Sequence, residues 1–110
     1  MPTDATGPHE YVEVLTGLDC LRVRHMRRRG TPVEIMAQLE RFIDGRWRAV
    51  RRYDTHMGLH VHTAPWDDAL DRRVRIQGGN LKSALTAAIA DLRDNRDSYR
   101  AACEAAQGSD

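Results

Sequence analysis

Residues 33–54 read VEIMAQLERFIDGRWRAVRRYD, and the fold turns on whether their first half is helix or strand. Met36-Ala37-Gln38-Leu39-Glu40-Arg41 is helix-friendly by propensity. The apolar spacing says otherwise. Val33, Ile35, Ala37, Leu39 and Ile43 recur at period two, interrupted only at Arg41, and Glu34, Met36, Gln38, Glu40 and Phe42 fall between them. Asp44-Gly45 decides in favour of a strand, because this dipeptide is a strong two-residue hairpin signal. Alternation resumes over residues 46–55. Strictly continued, it places Trp47, Ala49, Arg51 and Tyr53 on one side and Arg46, Arg48, Val50, Arg52 and Asp54 on the other.

Upstream, Tyr11–Leu15 reads as a short strand. Cys20–Arg27 alternates Leu21 and Val23 with Arg22 and Arg24, and Gly30 and Pro32 then mark a turn. Downstream, His56-Met57-Gly58 reads as a bend, Leu59–Thr63 as a strand, and Val74–Ile76 as a brief edge strand. Asn80 is placed to cap a helix. Leu81, Leu85, Ala88, Ile89, Leu92, Tyr99 and Cys103 then form one stripe at three- and four-residue spacing. The expected architecture is α+β: an antiparallel meander of four to five strands with one long C-terminal helix packed on one face. It forms a single domain, residues 10–107, after a disordered tail at 1–9.

With 41% hydrophobic and 30% charged residues, the composition belongs to a folded domain rather than a disordered one. The longest apolar run is too short to cross a bilayer. The start of the chain lacks the basic and apolar regions of a secretory signal, so a cytoplasmic protein with no membrane partner is expected. Cys20 and Cys103 read as free thiols. Net charge is only +1 but uneven: residues 21–53 hold ten arginines against Glu34, Glu40 and Asp44, a local +7 against −6 elsewhere. Such a segment suits phosphates or an acidic partner protein. Arg22, Arg24, Arg46, Arg48 and Arg51 are the candidate nucleic-acid contacts.

Residues 51–65, RRYDTHMGLHVHTAP, crowd three of the five histidines into seven positions. His60 and His62 share a strand face. Three readings follow. In the first, the cluster cleaves RNA without a metal: His60 and His62, with His56 in reserve, act as acid and base, Arg52 or Arg51 holds the phosphate, Asp54 orients a histidine, and Tyr53 donates a proton or stacks on a base. In the second, His56, His60, His62 and Asp54 bind zinc. In the third, they are solvated side chains of a polar strand face. Trp47 and Trp66 read as packing residues, and Asp91, Asp94 and Asp97, interleaved with Arg93, Arg96 and Arg100, as a solvated ion-paired helix face.

GRWRAVRRYDTHMGLHVHTAP, residues 45–65, resembles the TumE-type toxins of bacterial toxin–antitoxin pairs. It is also similar to small bacterial proteins with an RYDxxHGxxH-like segment. The likeness runs from about Leu21 to Ala102. Its distinctive residues are Arg52-Tyr53-Asp54, Gly58 and the histidines at 56, 60 and 62; Thr55 stands where the toxins carry Asn. The resemblance implies a toxin acting on RNA, paired with an antitoxin, with Arg52, Tyr53, Asp54, His56, His60 and His62 at its site. The leading expectation is therefore a toxin-like, metal-independent endoribonuclease without cofactor. Its expected partners are RNA, a cognate antitoxin and a second copy that covers a sheet edge. The alternative is a non-catalytic module binding nucleic acid or protein through a basic sheet face.

Overall fold

A computed structural model describes residues 8–77 and 79–108. Six strands run across one antiparallel sheet in chain order: β1 (His9–Val14), β2 (Asp19–Arg28), β3 (Thr31–Ile43), β4 (Arg46–Asp54), β5 (His60–His62) and β6 (Arg73–Arg75). Two helices follow, α1 (Leu81–Asp94) and α2 (Arg96–Gly108). The α+β meander forms as expected, with six strands rather than four or five. Of the expected tail, residues 1–7 lie outside the described residues, whereas His9 opens β1 and pairs with His25. Among the described residues, no helix is long and apolar enough to cross a membrane.

The hairpin at Asp44-Gly45 is built as its sequence dictates. Both residues have positive φ, 51° and 82°, which suits the two-residue turn that matches strand twist. One irregularity then resets β4. Leu39 pairs with Arg51 but Glu40 pairs with Ala49, so Val50 is an extra residue, a β-bulge. Strict alternation fails at this point. Trp47 and Ala49 share a face with Glu40, and Trp47 packs on Phe42. Arg51 and Tyr53 share the opposite face with Leu39 and Ala37. Val50, buried, joins the core.

That core lies between one sheet face and the helices. It comprises Leu21, Val23, Ala37, Leu39, Val50, Ala88, Leu92 and Cys103. The helical stripe is the one read from the sequence, but the helix is not continuous. Asn95 leaves helical geometry (φ −108°, ψ 16°), and its side-chain amide donates to Asp91 Oδ1 at 2.8 Å. Asn competes with the backbone for hydrogen bonds in this way, which favours a break. The stripe survives because Leu92 and Tyr99 lie seven residues apart, on the same side of both helices. At the start of α1, Asn80 Oδ1 accepts from the Ser83 N–H at 2.8 Å, the expected cap.

Asp91 is not a solvated face residue. It accepts hydrogen bonds from the Tyr53 hydroxyl at 2.5 Å and the Tyr99 hydroxyl at 2.8 Å, tying β4 to both helices. Burial, reinforced by the Asp91 carboxylate, pushes the Tyr53 phenol up to about 12. Tyr99 is raised for the same reasons. The folded chain thus favours protonated phenols, so their contribution is intact below pH 10 and falls as the pH rises toward 12. Urea unfolding across that window should show stability declining with pH, and Tyr53→Phe should flatten the decline, leaving the part due to Tyr99. Leu92→Ala, which empties a fully buried position, should cost about 2–5 kcal/mol in the same assay at neutral pH.

Candidate functional site

The helices cover one face of the sheet; the other is open, and register alone assembles two mainly polar rows of side chains across it. One row is Arg24, Met36, Asp54, His60 and Arg75. The next is Arg22, Gln38, Arg52, His62 and Arg73. Neighbouring strands lie about 4.8 Å apart, so side chains directly opposite on one face touch. Asp54 therefore meets His60 because β5 pairs with β4 in that register. The bend between them holds Met57 and Gly58 at positive φ, 60° and 101°. A Cβ on Gly58 would also sit 3.2 Å from the Arg75 guanidinium, so glycine lets that side chain lie over the bend.

The two imidazoles do not stand apart. Their ring centroids are 4.7 Å apart, edge to face, and their Nε2 atoms are 2.9 Å apart. His60 Nε2 also lies 2.9 Å from Asp54 Oδ1, and His62 Nε2 lies 3.6 Å from Asp54 Oδ2. Each ring is anchored through its other nitrogen. His60 Nδ1–H donates to the Gly58 carbonyl at 2.6 Å; the Arg73 guanidinium, 3.4 Å from the same nitrogen, is no acceptor and does not compete for that proton. His62 Nδ1–H donates to Asp71 Oδ2 at 2.6 Å. With both Nδ1 atoms committed, both Nε2 atoms turn toward each other and toward the Asp54 carboxylate. Three electron-pair donors in contact need a positive charge among them, a proton or a cation.

Asp54 is held by more than the histidines. It accepts from Arg52 Nε at 3.1 Å and from the His56 backbone N–H at 3.0 Å. Arg52 is aimed in turn by Gln38 Oε1 at 3.2 Å. Asp71 accepts from the Ala64 N–H at 2.9 Å as well as from His62. Burial works to raise the Asp71 carboxyl, but the His62 and Ala64 hydrogen bonds outweigh it and hold the group below its ordinary value. Beside the cluster, a cavity of about 260 Å³ is lined by Met57, Gly58, His60, Arg73 and Arg75.

Of the residues expected at the site, Arg52, Asp54, His60 and His62 come together. His56 contributes its backbone N–H to Asp54 and its carbonyl to the Arg73 guanidinium, while its ring lies outside the cluster. Tyr53 is on the helix-covered face and serves packing. The expected basic surface divides: Arg22 and Arg24 lie on the open face, Arg46, Arg48 and Arg51 on the other. Arg51 stacks on Tyr99 at 4.2 Å, and Arg48 pairs with Arg41, which reaches Glu104 of α2. Arg22 is ion-paired with Glu10 and Glu40. Asp71, Arg73 and Arg75 were not foreseen. The signal was the alternation of DRRVR, residues 71–75, which presents Arg73 and Arg75 on one strand face.

A family model described as a domain of unknown function (DUF7718) matches residues 3–109. No curated protein and no solved structure matches the chain. The geometry itself makes a checkable claim. In ¹⁵N–¹H spectra of the imidazoles, both Nδ1–H protons should be slowed in exchange. Asp71→Ala should lose the His62 Nδ1–H signal and spare that of His60. Equal loss of both, or of neither, would contradict the separate anchors.

Proposed function

We propose that this chain, which belongs to the DUF7718 family, acts on the phosphodiester bonds of RNA through Asp54, His60 and His62, as a toxin-like protein restrained by an antitoxin. The observation that carries this reading is the juxtaposition of a coupled His–His–Asp cluster with a cavity walled by Arg73 and Arg75. Cleavage of RNA requires a group to take the 2′-hydroxyl proton as that oxygen attacks phosphorus and a cation to meet the charge that develops there; the protonated base then gives its proton to the 5′-oxygen as the P–O5′ bond breaks. Guanidinium groups suit the second task through their planar donors.

The geometry favours a division of labour different from a separate acid and base. The two Nε2 atoms are in contact, so the rings act as one unit rather than from opposite sides of a phosphate. His62 is the more accessible, with 17% of its side chain exposed against 3% for His60, and is assigned to the substrate. Asp71 is a positioning residue: it holds the His62 Nδ1 proton and so fixes the tautomer in which Nε2 carries the lone pair. Arg73 and Arg75 bind the phosphate. The two guanidinium groups at the cavity, Arg73 and Arg75, also suit an acidic antitoxin.

The test is induction of the protein in bacteria, with parallel cleavage assays on a synthetic RNA and its 2′-deoxy counterpart. The wild type should arrest growth and cut RNA but not the 2′-deoxy strand. His62→Ala should slow cleavage at least about 100-fold while the circular dichroism spectrum is kept. Arg73→Ala and Arg75→Ala should mainly weaken RNA binding. Full cleavage by His62→Ala, or no cleavage by folded wild type, would sink the proposal.

A further inference from the structure

We infer that Asp54, His60 and His62 bind a single divalent transition-metal ion of the zinc class. The inference deepens the reading above, since it concerns the same cluster, but its readout is independent of RNA. It replaces the metal-free division of labour: an Nε2 bound to the ion has no lone pair with which to take a proton, so in the loaded protein His62 is a ligand and water on the ion would serve as the base.

The ligand atoms converge. One donor atom from each residue can be chosen such that all lie within 4.8 Å of one another. The closest approaches are 2.9 Å between the two Nε2 atoms, 2.9 Å from His60 to Asp54 and 3.6 Å from His62 to Asp54. Nitrogen and oxygen ligands sit about 2.0–2.1 Å from zinc, so pairs of ligands are about 2.9 Å apart at right angles and about 3.4 Å apart at tetrahedral angles. The Nε2–Nε2 and His60–Asp54 Oδ1 separations match the right-angle value, and the His62–Asp54 Oδ2 separation, to the other carboxylate oxygen, is about 0.2 Å wider than the tetrahedral one, so a small adjustment of the rings and the carboxylate seats the ion. Two histidines and one carboxylate are also a donor set that first-row divalent ions accept while leaving positions open for water or substrate.

Both imidazoles are also anchored through their remote nitrogens. A ligating imidazole characteristically donates its remote N–H to a carboxylate or a backbone carbonyl, which sets the tautomer and strengthens the ligating nitrogen. His62 does the former with Asp71 and His60 the latter with Gly58, each at 2.6 Å. A merely solvated histidine face needs neither arrangement. His60 is moreover buried although it lies on the open face, and its Nε2 faces Asp54 and His62.

Histidines 9, 25 and 56 provide the controls. His9 and His25 stack on each other at the β1–β2 end, and the His56 ring lies outside the cluster. Among the described residues, none of the three adds a fourth donor to the cluster.

The experiment uses the untagged full chain, stripped with chelator and titrated with zinc or cobalt(II) chloride. Wild type should take up one ion per chain, and the cobalt form should show the visible absorption of a low-coordinate nitrogen–oxygen site. Its melting temperature should rise by about 5 °C or more at saturating zinc. His62→Gln and Asp54→Asn should abolish uptake, while Asp71→Asn, which removes an anchor and not a ligand, should weaken affinity about 10–100-fold. His56→Ala should bind as wild type does. Absence of stoichiometric uptake by the wild type overturns the inference without relying on any variant, and so does unchanged uptake by His62→Gln. RNA cleavage is scored separately. Cleavage in chelator without metal uptake overturns the metal site and leaves the phosphodiester reading standing. Uptake without cleavage supports the metal site and removes the RNA reading.

Discussion

One extra residue in β4 sets which side chains face the helices and which face solvent. Because Val50 is bulged, Arg51 and Tyr53 turn toward α1 and α2, while Arg52 and Asp54 turn to the open face. A side-chain period of two makes any such slip change the face of every residue beyond it. Without the bulge, Asp54 would be driven under the helices and Tyr53 would stand among the histidines. The core hub at Asp91 and the cluster at Asp54 therefore depend on the same local irregularity, one on each side of the sheet.

The open face is held by polar contacts in series. Glu10 pairs with Arg22, Arg22 with Glu40, Gln38 donates to Glu40 and accepts from Arg52, and Arg52 reaches Asp54. Glu40 is buried on this face, a costly position for a carboxylate unless its oxygens are satisfied, and here both are engaged by neighbours. The chain of bonds ends at the histidines and, through His62, at Asp71. A site built on paired strands and braced from both sides holds its donors to a narrow geometry, which is what ligand binding or proton transfer requires.

The arginine-rich segment turns out to serve several purposes. Some of its guanidinium groups are structural: Arg51 stacks on Tyr99, and Arg41 links Asp19 to Glu104. Others brace the site, as Arg52 does. The two that wall the cavity, Arg73 and Arg75, lie outside that segment altogether. Local charge density thus overstated a continuous basic surface and pointed away from the guanidinium groups nearest the histidines.

The sequence by itself determined the β-hairpin at Asp44-Gly45, the meander, the Asn80 cap, the apolar helical stripe and the shared face of His60 and His62. These rest on short-range patterns, turn chemistry and periodicities of 2 and 3.6, which the backbone imposes wherever the chain goes. It also singled out Asp54 and Arg52 as companions of the histidines, since they end the preceding strand. Tertiary structure decided the rest. The bulge leaves no mark in alternating residues because inserting one apolar residue only shifts their phase. The break at Asn95 is hidden because the stripe continues across it. Asp71 stands nine residues from His62 and meets it only because β6 folds back on β5, and Tyr53 finds Asp91 across thirty-eight residues. Contacts of that kind follow from strand register and helix placement, which are set by the packing of the whole core and not by any segment of it.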